Sequence, residues 1–508
     1  MIETIKIVFY MYFQGVTMKK QTCILYGYTP IDSKVLNEYG AGPGINPYQI
    51  LPSFKEGTVK HISVPSLGPV ALATFLETHD VPVTVSDFYR NNDTLEHFAI
   101  IGISSTFLTL TEVKTIAEYI RSQNSTASIV LGGPISWSYS PDEIFNIIPE
   151  LQFIVVREGE EPFLSLINAI ANDKKPEGIP GVIIKNNPPV LYAQQLGSQD
   201  LDALPFPNWS LIDFKGRLKV LPVETSRGCL YSCAFCNETN YWGKPVRFKK
   251  IEGVLSELEN NIARYNITTF RFVDSCFSAP EKRCADICDA ISDQFVNKGV
   301  QLNWSAYARL NNLSGDLLYK MKKSGCVALD VGWESGNSGI LKNMNKQYDP
   351  RKVIECVRIA KELEIVIHCN TLIGFPGESQ ETINDTIDIL ETAQPNTYQC
   401  LYLYLSPNSY LFEHANEFRI QGARHSWKHP TMNSDEAAQS IQSIRKRLKN
   451  IPMFAGGEFF TCYLTSLNFS YREITGFFHA INNAMNSEMN EDDAQIIQKV
   501  DEAFKNYW

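Results

Sequence analysis

Two successive series of apolar runs alternating with helix-patterned segments constrain this chain more than any other feature. In the first, from about residue 20 to 170, "TCILYGY" (22–28) reads as a buried strand, "SLGPVALATFLETH" (66–79) as a helix and "VPVTVSDF" (81–88) as a strand again. "AIIGISST" (99–106) is apolar until its small polar end, as a strand buried on both faces is. Val113, Ile116, Ala117 and Ile120 then repeat at i, i+3, i+4, i+7, which is one face of a helix. "SIVLGG" (128–133) and "FIVVREGEE" (153–161) complete the series. Such alternation with short connections predicts an α/β, doubly wound, Rossmann-like parallel sheet. Ligands of these sheets bind where strands end, and the ends here carry Ser104, Ser105, Gly132 and Gly133. Paired glycines there open the backbone to a large ligand, or simply make a turn.

Residues 171–215 read as a linker, since "KKPEGIPG", "NNPPV" and "LPFPNW" are rich in Pro, Gly and Asn. The second series follows, with strands expected at 219–226, 268–274, 301–309, 327–335, 364–374 and 397–405 and helical segments between them. Six such units over 216–410 predict a partial (β/α)6 barrel, open on one side, with its chemistry at the C-terminal mouth of the strands. After about 410 the alternation stops. "DEAAQSIQSIRKRLKN" (435–450) and "YREITGFFHAINNAM" (471–485) read as helices, so 411–508 is expected to be a small appended helical domain.

Immediately after the first strand of the second series stands "SRGCLYSCAFCNETN" (226–240), with Cys229, Cys233 and Cys236 in the pattern C-x3-C-x2-C and Phe235 before the last thiol. A structural zinc needs four ligands from Cys or His, and the next histidine in the chain is His368. Three thiolates suffice for a cubane iron–sulfur cluster, leaving one iron open to a ligand. The spacing therefore favours an open, reactive centre.

The bulk numbers narrow the classes further. The chain has 508 residues, 44% hydrophobic and 20% charged, which suits two or three globular domains. A net charge of −10 without a long basic run argues against nucleic acid or an anionic membrane surface as partner. "IKIVFYMYF" (5–13) is too short to span a bilayer and lacks secretory flanks, and Met18 is an alternative start. Twelve cysteines without a small-domain framework point to free thiols and a reducing, cytoplasmic setting.

The cysteine loop and barrel series together resemble the radical S-adenosylmethionine (SAM) enzymes, whose signature is this C-x3-C-x-aromatic-C. The resemblance implies a 4Fe-4S cluster on Cys229, Cys233 and Cys236, with SAM chelating the fourth iron and one electron cleaving its sulfonium. It also implies an external electron donor such as flavodoxin or ferredoxin. Later segments are similar too. "RFVDSCF" (271–277) places Asp274 to accept from the SAM ammonium, a helix N-cap being the other reading. "NWSAYAR" (303–309) puts Ser305, Tyr307 and Arg309 on one face, with Arg309 either pairing the SAM carboxylate or making a surface ion pair. "VGWESGNSGILKNMNK" (331–346) would turn Glu334 and Ser335 toward the SAM ribose, and "TLIGFPGES" (371–379) would set Gly374, Phe375 and their backbone against the adenine. Phe235 counts with this SAM set.

The first series is similar to the cobalamin-binding domain of one large radical SAM subclass, through "PSLGPVALATFLE" (65–77), "IGISS" (101–105), "VLGGP" (130–134) and "VVREGEEPF" (155–163). Ser104, Ser105, Gly132 and Gly133 would then contact cobalamin. The D-x-H-x-x-G of many such domains is missing, because the loop after the first strand reads "TPIDSKVLNEYG" (29–40) with no histidine. The cobalt face below the ring is thus expected to be open or water-bound. The resemblance implies methylation of an unactivated carbon or phosphorus centre in a small-molecule metabolite or peptide. Oxidation, cyclisation or rearrangement with the same cofactors is the alternative, and a non-catalytic cobalamin or redox sensor a remote one. A methylthiotransferase is rejected, since Cys23 is the only cysteine before Cys229.

Several residues keep two readings. Tyr402, Tyr404 and Ser406 line a substrate cavity or a wet barrel edge. His425, Trp427 and His429 form a pocket lid or, preferably, a plain surface loop. His368 is expected to be a hydrogen-bonded core histidine, and Cys276, Cys284 and Cys288 buried hydrophobes rather than a second cluster.

Overall fold

The computed structural model describes residues 21–26, 50–55, 65–88, 94–105, 109–187, 197–198, 200–212 and 219–507. The apolar 5–13 stretch, Met18 and the 29–40 loop lie outside them. No helix among the described residues is long and apolar enough to cross a membrane.

The first series folds into one six-stranded sheet: β1 (Thr22–Tyr26), β2 (Val83–Asp87), β3 (Ile100–Ser104), β4 (Ser128–Gly132), β5 (Phe153–Val155) and β6 (Val182–Ile184), in the order β2-β1-β3-β4-β5-β6. The first five are parallel. Alternate residues feed two cores, with Ile24, Ile100 and Val130 on one face. Cys23, Leu25, Ile101, Ile103, Ile129 and Leu131 pack on the other, against the helix Leu110–Gln123 through Val113, Ile116, Ala117 and Ile120. That double burial is why these strands read as unbroken apolar runs. The helix starts at a reciprocal Thr109–Glu112 capping box.

β6 departs from expectation. It lies inside the 171–215 stretch read as linker, and pairs antiparallel with β5 (Phe153↔Ile184), covering an otherwise open sheet edge. Farther along the same stretch, the Asn208 amide donates to Thr74 Oγ1 (2.8 Å) and the Trp209 amide to Tyr265 Oη (3.0 Å), with the Trp209 ring buried. Thr74 sits on the helix Leu67–Glu77 of the first sheet and Tyr265 on the helix Ile251–Tyr265 of the second, so this connector straps the two halves together.

The second series supplies β7 (Leu221–Val223), a short antiparallel pair β8 (Ser226–Arg227) and β9 (Arg247–Phe248), then β10 (Thr269–Phe272), β11 (Asn303–Arg309), β12 (Cys326–Glu334), β13 (Val366–Ile373) and β14 (Thr397–Tyr402). All six expected barrel strands appear, in parallel and in the order β14-β13-β12-β11-β10-β7.

The C-terminal part contains the expected helices Ser434–Arg447 and Tyr471–Met485, but it is not merely appended. A three-stranded antiparallel sheet, β15 (Gln421–Ala423), β16 (Ser426–His429) and β17 (Met432–Asn433), comes first. The helix Gly457–Ser466 then packs against β10, β11, β12 and β13 and inserts the buried Glu458 carboxylate among them. Arg271 Nε lies 3.1 and 3.3 Å from the Glu458 oxygens, and Ser305 Oγ also donates to it. A buried carboxylate needs such partners, and here they come from two barrel strands.

Candidate active site at the meeting of two sheets

The C-terminal strand ends of both sheets open on one cavity of about 670 Å³. Ser104, Gly132 and Gly133 line it from the first sheet. Ser105 does not: its hydroxyl donates to the Gly132 carbonyl (2.7 Å) and accepts from the Ile135 amide (3.2 Å), bracing the turn. Gly133 has φ +89°, and a Cβ there would lie 3.0 Å from Ser105 Oγ, so only glycine sits without strain. Ser66 and Arg157 also line the cavity, and Ser66 Oγ and Arg157 Nε are buried with no partner among the described residues. Buried orphan donors of this kind call for an acceptor-bearing ligand.

From the barrel side, both ends of the cysteine loop reach the cavity, through Ser226 and Arg227 before it and Asn237 and Glu238 after it. The loop is pinned by the Ala234 amide on the Met344 carbonyl (3.0 Å) and the Leu411 amide on the Ala234 carbonyl (2.8 Å). Cys229, Cys233 and Cys236 are free, half-buried thiols. Burial pushes the Cys229 and Cys236 thiols up, so without metal they stay protonated. Among the described residues no three Cys, His, Asp or Glu side chains converge on a single-ion position. The three thiols lie near enough for their charges to raise one another, and three on one loop suit a multi-iron cluster, in which each binds its own iron.

The expected SAM residues separate into those near the loop and those turned away. Glu334 ends β12 at φ +72°, just past a register shift, and accepts from Lys346 Nζ at 2.7 Å. Lys346 also bonds the Gly332 carbonyl (2.8 Å) and lies 6.0 Å from the Phe235 ring centre, joining Glu334 to the cysteine loop. Arg309 is buried, with Nη1 3.3 Å from Cys233 Sγ, and is no surface ion pair.

Asp274 corrects both of its readings. It caps no helix and does not face the cavity; its carboxylate accepts from the Thr225 amide (3.2 Å), Thr225 Oγ1 (2.8 Å) and Ser226 Oγ, holding the stem of the cysteine loop. Burial raises this carboxyl to about 6. Ser335 is fully buried and accepts from the Asn337 amide (3.2 Å) in its own turn. Phe375 is a core side chain, edge-on to Phe418 at 6.3 Å. The Gly374 amide is taken by Glu378 and its carbonyl by His429 Nε2 (3.0 Å), leaving little backbone for an adenine. The cause is β16, whose Trp427 ring packs where a Gly374 Cβ would be, 2.4 Å away.

Trp427 and His429 are therefore buried strand residues, not a surface loop. Tyr402 and Tyr404 pack on His425 (ring centres 4.9 and 4.7 Å) and do not line the cavity. His368 is a core histidine 2.7 Å from Thr397 Oγ1, lowered to about 4 by burial. Cys276, Cys284 and Cys288 are buried.

The sequence reading missed the charges at the seam. Arg227 bonds Glu158 (2.5 Å), Glu160 (2.8 Å) and Glu224 (2.9 Å), and Arg247 bonds Glu158 (2.6 Å). Burial opposes the Arg227 charge, yet the three carboxylates hold its guanidinium well above the ordinary range. Glu158, Glu160 and Arg227 stood in quoted motifs, "VVREGEEPF" and "SRGC", and Glu224 and Arg247 outside them, but nothing local says which charges meet. Also missed was the cavity floor, where Arg271 Nη2 donates to Tyr307 Oη (2.5 Å) above Glu458.

Residues 223–390 match the model of the radical SAM superfamily. An uncharacterized methyltransferase of Pyrococcus horikoshii is 29% identical over 69% of this chain and 78% of its own length. The anaerobic magnesium-protoporphyrin IX monomethyl ester cyclase of Cereibacter sphaeroides is 23% identical over 53% of this chain, which spans under half of it (45%). Among solved structures, the radical S-adenosylmethionine methyltransferase TsrM of Kitasatospora setae, with cobalamin and a 4Fe-4S cluster bound, superposes at TM-score 0.68 and 16% identity, covering 95% of this chain and 100% of that one. Residues 223–390 are thus a radical SAM superfamily domain, the chain is an enzyme, and its fold is that of a radical SAM methyltransferase whose structure holds cobalamin and a 4Fe-4S cluster.

Proposed function

We propose that this enzyme cleaves SAM at a 4Fe-4S cluster held by Cys229, Cys233 and Cys236, binds cobalamin at the first sheet, and methylates an unactivated carbon or phosphorus centre of a small molecule or peptide. The observation that carries this reading is the shared cavity, lined by both ends of the cysteine loop and by the Gly132–Gly133 strand end. When bound, the cluster and SAM supply one-electron chemistry, and cobalamin supplies a transferable methyl group.

The chain's own residues do the rest. Ser104, Gly132 and Gly133 present a low wall that a broad macrocycle can approach, while Ser66 and Arg157 offer donors to its acceptor groups. Glu334, with Lys346 and Phe235, forms the polar and aromatic flank of the SAM position. Asp274 and Ser105 position backbone rather than ligand. The Arg227–Glu158–Arg247 cluster closes the seam between the sheets against water. Electrons would come from a protein donor such as flavodoxin or ferredoxin, and free thiols suit a reducing, cytoplasmic setting. The charge of −10 disfavours nucleic acid.

The test is bound corrinoid per chain after anaerobic expression with cobalamin and cluster reconstitution, followed by product mass. Near-stoichiometric corrinoid and a product heavier by one methyl group support the reading; a reconstituted cluster without corrinoid removes the methylation claim. The similarity to a cyclase favours one second reading, oxidation or cyclisation without methyl transfer, which product mass separates by loss of hydrogens.

A further inference from the structure

Arg309 is a guanidinium only 7% exposed at the end of β11. Other buried cations around the cavity have acid partners: Arg227 and Arg247 share Glu158, Arg271 has Glu458 and Lys346 has Glu334. Arg309 has none among the described residues. Its Nε donates to Asn311 Oδ1 (2.8 Å), its backbone amide donates to Ser278 Oγ (3.0 Å), and its guanidinium lies 3.9 Å from the Tyr231 ring centre and 5.8 Å from that of Tyr348. Nη1 then points at Cys233 Sγ, 3.3 Å away. With Nε on Asn311, the fork's Nε edge is not free for a bidentate carboxylate, and Nη1 on the other edge already meets sulfur. Arg309 is also not among the residues lining the cavity. A buried, uncompensated guanidinium is costly unless an anion faces it, and of the two acceptors it meets the one that can become an anion is the Cys233 thiol, which metal would turn into a thiolate.

We propose that Arg309 donates a hydrogen bond to the Cys233 thiolate and raises the reduction potential of the cluster, instead of pairing the SAM carboxylate. This rests on the reading of the three cysteines as cluster ligands. Hydrogen bonds to the sulfurs and local charge set iron–sulfur potentials, and a cation beside the cluster favours the reduced, more negative state. Tyr231, on which the Arg309 guanidinium stacks, belongs to the cysteine loop itself.

The experiment is an EPR-monitored redox titration of the reconstituted full chain without SAM, for wild type, R309M and R309K, with SAM affinity measured separately by calorimetry. The expected result is a potential shifted negative in R309M, a smaller shift in R309K, and SAM affinity within about threefold of wild type. An unchanged SAM-free potential in R309M overturns the proposal, and does so most clearly if SAM binding weakens tenfold or more, the signature of a carboxylate partner. Should R309M hold no cluster, R309K decides: a negative shift supports the proposal and none refutes it. A wild-type chain that assembles no cluster defeats the underlying reading instead, and is recognised by its lack of iron.

Discussion

The two six-stranded sheets meet the same cavity with opposite equipment. The first brings backbone and small side chains, Ser104, Gly132 and Gly133, on strands buried on both faces. The second brings charge and sulfur: Glu224, Arg227, Arg271, Tyr307 and the cysteine loop. One side is suited to accept a bulky ligand by shape, the other to hold and tune reactive groups. The difference shows in what keeps each strand end in place. Ser105 braces the first with two hydrogen bonds, whereas the second depends on buried ions (Asp274, Arg227, Glu458), each dear to desolvate and so tightly partnered.

Breaking the reactive side has the largest expected effect. Cys233→Ala should abolish iron loading and bring 5′-deoxyadenosine formation to background while corrinoid binding persists, as iron analysis and chromatography would show. At the seam, Arg227→Met strands the carboxylates of Glu160 and Glu224 and leaves Glu158 to Arg247 alone, and chemical denaturation should register a loss of about 3–5 kcal/mol. Next comes a pH effect. The folded Asp274 carboxyl, at about 6, stands above its unfolded value. Its contribution is therefore whole below about pH 4 and is lost as pH rises through 6. Comparing wild type with Asp274→Asn, the balance should move toward the variant by about 2 kcal/mol between pH 4 and 7.

On the shape side, Gly133→Ala forces an L-residue to φ +89° beside Ser105, costing about 1–3 kcal/mol. Corrinoid occupancy should fall while iron content holds; a fall in iron instead would erase the division of labour between the sheets. Smallest of all is Arg358→Ala, which removes exposed pairs with Glu355 and Glu362 on a barrel helix and should leave the denaturation midpoint unmoved.

Much of this architecture was legible in the chain. The alternation of apolar runs with the 3.6-residue period at Val113, Ile116, Ala117 and Ile120 specified both sheets, since a strand buried on two faces has few other compositions. The cysteine loop was legible for a similar reason: three ligands within eight residues are a local pattern. β6 was not, because three residues, Val182–Ile184, carry too little periodicity to stand out among Pro and Gly.

What sequence alone determined, then, was whatever depends on neighbours along the chain: the type of the long periodic elements, their alternation in two series, and the place of the three thiols just after a strand. The tertiary structure decided which distant groups meet. Asp274 turned to Thr225 and Ser226 rather than to a ligand, and Phe375 went into the core under β16. Glu458 entered the barrel on a C-terminal helix, and Arg309 came to rest on Cys233. Each of these is a buried polar or aromatic group whose partner is chosen by desolvation and packing, and those forces act through space with no trace in local spacing.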